Sequence, residues 1–362
     1  MDTRYIKAVF LQFSGIVGAG IFALPYVFYQ ANPYLLFLLL LVAFVATALI
    51  NYFYIEIILK TPGDHQISGY TEIYLNSKVK HLSTLNFFML GIGAFAAYLK
   101  LSSEFLVVFY PGLSPLSGMA IFLAFILLLH FAGLKVSSGL HFIIPLITVL
   151  LVFVLSFFSL SFSPLNFSPS PVLGSDLFGI LLFALCGFTI IPEVEESLRG
   201  TPRVKSRLKS ASFLGLLLSL FLYLIFSFAV IRISSPYVSI DSITGIITVS
   251  PLFGRVAAVI GLTIIGSASL NYLLTFRELF YRDLYLPLPA SNLFSAFVPL
   301  VSILLTFFPL VKIISLTGSI TISVFTLLIC LIRYQLPHTP KYILWSSFVL
   351  IALYLGLVFE FL

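Results

Sequence analysis

Few residues in this chain could carry out covalent or metal chemistry. Its five histidines are His65, His81, His130, His141 and His338, and its two cysteines are Cys186 and Cys330. No HExxH pair occurs. His130 and His141 flank one short turn and could approach each other, but no third ligand accompanies them. Both cysteines lie within apolar runs, so no disulfide or metal framework is suggested. No phosphate loop is present, and no aspartate falls in the middle of an apolar run; Asp176 and Asp241 approach only the ends of such runs. These observations exclude ATP-driven work within the chain and argue against an enzyme and against a bound cofactor or metal. Two features remain that could act on a ligand. One is the pair Lys100 and Glu104, four residues apart on one helix face. The other is a set of glycines where a continuous helix would be expected.

Residues 14–25 read SGIVGAGIFALP, inside an apolar run from Ile6 to Tyr29. Residues 176–200 read DLFGILLFALCGFTIIPEVEESLRG, with Gly179, Gly187 and Pro192 as interruptions. Glycine within a helix costs about 1 kcal/mol relative to alanine, and it lets a ligand approach bare backbone. Close helix packing over a face of small residues is the alternative use of such glycines. An interrupted helix offers amides that bind a carboxylate and carbonyls that bind a cation or an ammonium group. A zwitterion needs both within a few ångströms.

The elements that must position these groups follow from composition. Hydrophobic residues make up 60% of the 362 residues and charged residues 9%, and the mean hydropathy is +1.15. A soluble domain is about one quarter charged. A membrane-spanning helix needs about 20 apolar residues, and eleven intervals qualify: 6–29, 34–59, 85–110, 116–134, 138–160, 176–198, 211–233, 253–276, 292–308, 311–332 and 342–361. The fold class is therefore all-α integral membrane. The first interval follows Arg4 and Lys7, yet it is too long for a signal-peptide core, so it reads as an uncleaved first span.

The net charge of +6 invites a nucleic-acid partner, but its placement argues for topology. With the N-terminus cytoplasmic and the spans alternating, fifteen of the nineteen basic residues are cytoplasmic, among them Lys60, Lys135, Lys341 and the cluster TPRVKSRLKS at 201–210. Arg232, Arg255 and Lys312 fall outside, and Lys100 falls within a span. This is the positive-inside bias. It implies a multi-pass protein of the cytoplasmic membrane with an extracytoplasmic C-terminus, a lipid-bilayer environment, no nucleic acid and no obligate protein partner. The loop SFSPLNFSPSPVLGSD at 161–176, free of Lys and Arg, fits the outer side.

Four segments carry a family resemblance: GIVGAGIFALPYVF (15–28), GAFAAYLKLSSEFL (93–106), GLKVSSGLHFIIPLITVLL (133–151) and LFALCGFTIIPEVEESLRG (182–200). Together they resemble the amino acid–polyamine–organocation superfamily with its LeuT-type fold, and within it the amino acid/auxin and tyrosine/tryptophan permeases. The resemblance implies a 5+5 inverted repeat with interrupted first and sixth helices. The repeats would cover about 1–160 and 174–335 of a transporter core at 1–335, with a peripheral C-terminal helix at 336–362. It implies alternating access around a midplane site for an amino acid. The carboxylate would meet backbone at Gly18, Ala19 and Gly20, and the amino group would meet carbonyls near Ala184, Leu185 and Gly187. Tyr98 and Phe183 or Phe188 would shape or gate the pocket.

The resemblance also frames the coupling ion, H+ or Na+. A sodium ion would sit on the backbone of Ser14 and Val17 with hydroxyls drawn from Thr263, Ser267 and Ser269. A proton would be carried by Lys100, since a charge placed in a bilayer marks a functional group; Glu104 could instead simply neutralise it. Proton-coupled import is the favoured reading. Sodium coupling, exchange, another small amine or organic solute, and a nutrient sensor on the same fold are the alternatives. The charges Glu193, Glu195, Glu196 and Arg199, with RELFYRD at 277–283, read as solvated helix ends or as an inner gate, and the solvated reading is preferred because surface ion pairs contribute only about 0–1 kcal/mol.

Overall fold

The computed structural model describes residues 2–132, 140–162, 167–168, 174–336 and 350, without the side chains of 140–144, 174 and 175. The eleventh interval at 342–361 apart from Leu350, together with Lys135, Lys341, His338 and the side chain of His141, lies outside the described residues. Each of the ten earlier intervals has most of its described residues in helix.

The first interval is two helices, α1 (Thr3–Ile16) and α2 (Gly20–Gln30), bent by 62° where they meet. Next come α3 (Pro33–Lys60), the short α4 (Ile67–Tyr74) and α5 (Ser77–Val107). The apolar helices α6 (Pro115–Phe131) and α7 (Leu140–Ser159) follow, then α8 (Gly174–Leu185), a 3-10 turn at Phe188–Ile190 and α9 (Ile191–Leu198). The second half continues with α10 (Val204–Ser234), the short α11 (Ile243–Val249), α12 (Pro251–Glu278), α13 (Leu288–Ser302), α14 (Leu310–Leu316) and α15 (Ile322–Gln335). A π-helical turn at Thr317–Thr321 joins the last two. Among the described residues seven helical segments are long and apolar enough to cross a bilayer, or eight with the bent pair taken as one span.

Helix boundaries follow local chemistry. Asn32 accepts from the amides of Tyr34 and Leu35 to start α3, with Pro33 in its first turn, and Asn76 and Ser114 cap α5 and α6 in the same way. Pro192 opens α9 instead of breaking a helix, and Gly179 lies inside α8. Gly179 is a packing glycine: a methyl group there would sit 2.5 Å from the carbonyl oxygen of Ser315. Gly318 answers it across the same contact, so α8 and the π-helical turn approach backbone to backbone. The Asn86 amide on α5 donates to the Thr321 carbonyl over 2.9 Å, which ties that turn to α5.

His130 does not meet His141 in any described contact. Its Nε2 lies 3.0 Å from the Ser295 hydroxyl and so joins α6 to α13.

Gly93 of α5 faces Thr317, where an added methyl group would overlap the threonine side chain. We expect Gly93→Val to cost about 1–3 kcal/mol through overpacking and to lower the melting temperature of the purified protein; an unchanged melting temperature would contradict this packing.

Candidate functional site

Both interrupted helices break at their glycines, and the two breaks lie side by side. α1 stops at Ile16 and α2 starts at Gly20; α8 stops at Leu185, and the chain resumes helix at Phe188. A methyl group added to Gly20 would lie 2.6 Å from the Ala184 Cα, so α2 and α8 touch where they start and end. At bilayer depth the backbone groups freed by a break need partners from the protein. Tyr223 of α10 supplies one: its hydroxyl lies 2.9 Å from the Ile16 carbonyl and 2.8 Å from the Ala184 carbonyl. Gln12 of α1 supplies another, donating from Nε2 to the Gly187 carbonyl over 2.7 Å. Gln12 is fully buried, and its Oε1 has no partner among the described residues. Ala19 offers α2 no side-chain cap; the amides of Ile21 and Phe22 turn back to the carbonyls of Gly18 and Ala19 over 3.4 and 3.1 Å.

The expected residues distribute as follows. Gly18 stands under Tyr98, whose hydroxyl would be 2.9 Å from a methyl group placed on Gly18. Tyr98 packs on Phe95 and on Tyr272 of α12, with ring centroids 5.9 and 6.2 Å apart. Phe183 packs against Gly318 instead, and Phe188 turns away into Tyr54 and Phe325. Gly15 meets Ile190, and beside it a space of about 10 Å³ is lined by Gly15, Thr189, Ala268, Asn271, Tyr272 and others. The Asn271 Nδ2 is buried without a partner among the described residues.

Ser14, Val17 and Ser267 come together. With Phe13, Pro145, Thr148 and Ile264 they line a second small cavity of about 10 Å³, room for a single small ion or water. The Ser267 hydroxyl is buried and has no partner among the described residues. Thr263 and Ser269 do not join it; their hydroxyls bond the carbonyls of Val259 and Ile265 on their own helix.

Lys100 departs from the expectation of a buried base. It is half-buried, and its ammonium donates to the carbonyls of Thr306 and Phe308 at 3.2 and 3.0 Å. The Glu104 Oε2 is buried without a hydrogen-bond partner among the described residues.

At the opposite end the charged residues form a cross-linked plate, solvent-exposed at Arg199 and Asp64 and buried at Asp283. Arg199, after α9, bonds Asp64 in the segment before α4 and also Glu195. Arg282 binds Glu196, and its Nε lies 2.8 Å from Glu278 Oε2. Gln66 donates to Glu193 over 3.1 Å, and the buried Asp283 accepts from the amides of Gln66 and Gly69. The ends of the sixth and eighth expected spans are thus joined through the 61–76 segment.

A profile of the family described as "Transmembrane amino acid transporter protein" matches residues 1–230, more than half of the chain. The chain belongs to this family. A search of curated proteins gives no match. Among solved structures, MhsT in complex with L-phenylalanine aligns with a TM-score of 0.73 and 14% identity over 98% of both chains. The manganese transporter of Eremococcus coleocola aligns with a TM-score of 0.71 and 10% identity, covering 97% of this chain and 85% of that one. Mhp1, a nucleobase-cation-symport-1 family transporter with bromovinylhydantoin bound, aligns with a TM-score of 0.68 and 11% identity, covering 91% and 77%. At these identities the likeness is one of fold, and the fold of this transporter is LeuT-type.

Gln12, Tyr223, Asn271, Tyr272 and Thr148 are the site groups that the sequence did not single out. Gln12 alone had a usable signal: a carboxamide inside an apolar run, just before the glycines. The tyrosines are lost among 18 in the chain.

The plate makes a testable claim about access. Arg199 holds the Asp64 carboxyl below the usual aspartate range, chiefly by its hydrogen bond. A lowered carboxyl contributes fully above the ordinary aspartate pKa of about 3.9 and is lost as pH falls through its own lower value. The bridge therefore does not respond to pH between about 5 and 8. Asp64→Asn removes its charge, and we expect this variant to raise alkylation of Cys186, a buried free thiol at the second break, several-fold in a Cys330→Ser background. Equal rates would show that the plate does not close the path to the breaks.

Proposed function

We propose that this transporter is a secondary active importer of an amino acid across the cytoplasmic membrane, working by alternating access around the paired helix breaks. The observation that carries the reading is the meeting of the two breaks at Gly20 and Ala184, with Tyr223 and Gln12 holding their loose carbonyls. One face of the site is the amide end of α2, suited to a carboxylate at Gly18, Ala19 and Gly20. The other is the carbonyl end of α8, at Ala184, Leu185 and Gly187, suited to an ammonium group. Tyr98 closes the site over Gly18. As a substrate enters, its amino group displaces the Tyr223 hydroxyl and the Gln12 amide from the carbonyls that they hold.

The wider reading places these breaks in two inverted repeats at about 1–160 and 174–335, with eleven spans in all and a peripheral helix in 336–362. The N-terminus is cytoplasmic and the C-terminus extracytoplasmic, which sets the charged plate at the inner side as a gate. Its cross-linked geometry, together with the small central spaces, suits a conformation closed inward.

Sodium is the coupling ion that the geometry supports better. Ser14, Val17, Thr148 and Ser267 line a cavity of single-ion size, and the Ser267 hydroxyl has no other partner among the described residues. The proton reading loses Lys100, whose ammonium is engaged with the carbonyls of Thr306 and Phe308, and keeps Glu104 as its remaining support.

Uptake by purified variants in proteoliposomes tests the site. Gly18→Leu and Gly187→Leu should each abolish uptake while the protein still inserts and remains monodisperse; normal uptake in either would remove the breaks as the binding site. Ser267→Ala should weaken the apparent affinity for sodium at least ten-fold. An unchanged sodium dependence, or uptake that needs no sodium in the unmodified protein, would return the coupling to a proton.

A further inference from the structure

On the flank of the bundle, away from the breaks, α3 and α10 enclose a cleft of about 90 Å³. Its lining includes Asn51, Tyr52 and Ile55 from α3 and Lys209, Ser212 and Phe213 from α10. A single ordered water occupies about 10–15 Å³ on this measure, so the cleft is sized for a larger polar group. Its polar lining is unsatisfied. Asn51 is 3% exposed and Ser212 2%. Neither amide atom of Asn51, nor the hydroxyl of Ser212, has a hydrogen-bond partner among the described residues. Leaving such groups unpaired in an apolar setting is unfavourable.

The charge beside them points to an anion. The Lys209 Nζ lies 3.2 Å from Glu56 Oε1 and 4.0 Å above the Tyr52 ring. Glu56 is shared, since its other oxygen binds Arg333. The Lys209 ammonium thus lines the cleft beside the unpaired Asn51 and Ser212. Lys209 and Glu56 both lie near the helix ends at the charged side of the protein, the depth of lipid headgroups. Phe213 of the lining is exposed, and further along the same two helices so are Leu41, Val45 and Phe221, an apolar surface suited to acyl chains.

We propose that this cleft binds a phospholipid whose headgroup carries a hydrogen-bond donor beside its phosphate, as in phosphatidylglycerol or phosphatidylethanolamine. Lys209 and Ser212 donate to phosphate oxygens, and the Asn51 Nδ2 donates to a phosphate or ester oxygen. The Asn51 Oδ1 needs a donor in return, which a glycerol hydroxyl or an ammonium supplies and a choline headgroup does not. The acyl chains run along Phe213.

Native mass spectrometry of the detergent-purified full chain, titrated separately with phosphatidylglycerol, phosphatidylethanolamine, phosphatidylcholine and glycerol 3-phosphate, tests this. The expected result is one phosphatidylglycerol or phosphatidylethanolamine bound at least ten-fold more tightly than phosphatidylcholine. Asn51→Leu and Lys209→Gln should each weaken it about ten-fold. Asn51→Leu should melt no lower than the unmodified chain, because it replaces an unpaired amide with an apolar group of similar size. Should Asn51→Leu fail to fold, Ser212→Ala, which removes a single oxygen, carries the same comparison. Equal binding of phosphatidylcholine, or lipid binding unchanged in the variants, would overturn the proposal. Glycerol 3-phosphate binding as tightly as the lipids would assign the cleft to a soluble phosphate, and no adduct of any kind would leave it a water-filled cleft.

Discussion

A helix that stops inside a bilayer leaves peptide groups that lipid cannot bind, and this protein stops two helices at the same depth. Everything near its centre answers to that constraint. The α1 and α8 carbonyls share a single tyrosine hydroxyl, that of Tyr223, and the Gly187 carbonyl takes the Gln12 amide. These partners are side chains, which a ligand can replace one hydrogen bond at a time. A continuous backbone ladder would offer no such exchange. The breaks are thus satisfied by groups that can be exchanged, which suits the binding site proposed for them.

The packing around the breaks serves the same end. Gly20 against Ala184 and Gly15 against Ile190 bring the two interrupted elements to within van der Waals reach. Elsewhere Gly179 and Gly318 let α8 run along the π-helical turn at backbone distance. Close approach is also what glycine allows at the breaks themselves, where a methyl group on Gly187 would lie 2.3 Å from the Ile16 side chain and one on Gly18 2.9 Å from the Tyr98 hydroxyl. The charged plate joins the far ends of these elements through Arg199 and Arg282.

Apolar runs are legible because a bilayer demands them, and among the described residues seven helical segments, or eight with the bent pair as one, are long and apolar enough to cross it. The breaks were legible because glycine is costly inside a helix, so the runs at 14–25 and 182–192 stood out. What sequence could not separate is a breaking glycine from a packing one; Gly179 needed the neighbouring Ser315 to be seen. Lys100 was misplaced for a related reason. Position within an apolar run says little about which way a long side chain reaches, and this one extends to two carbonyls after α13. The pairing of the 193–199 and 277–283 charges has no local pattern, because Asp64, which bonds Arg199, lies on a segment far away in sequence. The partners of the broken backbone, Tyr223 above all, are set by tertiary contact across more than two hundred residues from Ile16 and carry no local pattern.

The measurement that bears most directly on the account is uptake from a mixture of the twenty amino acids into proteoliposomes, under an imposed sodium gradient and separately under an imposed pH gradient. The account expects one or a few amino acids to accumulate under the sodium gradient, saturably. Accumulation under the pH gradient alone would keep the amino acid site and contradict the ion assignment. No accumulation under either gradient, with exchange tested by preloading, would contradict the central claim that the paired breaks form the site of a gradient-driven amino acid importer.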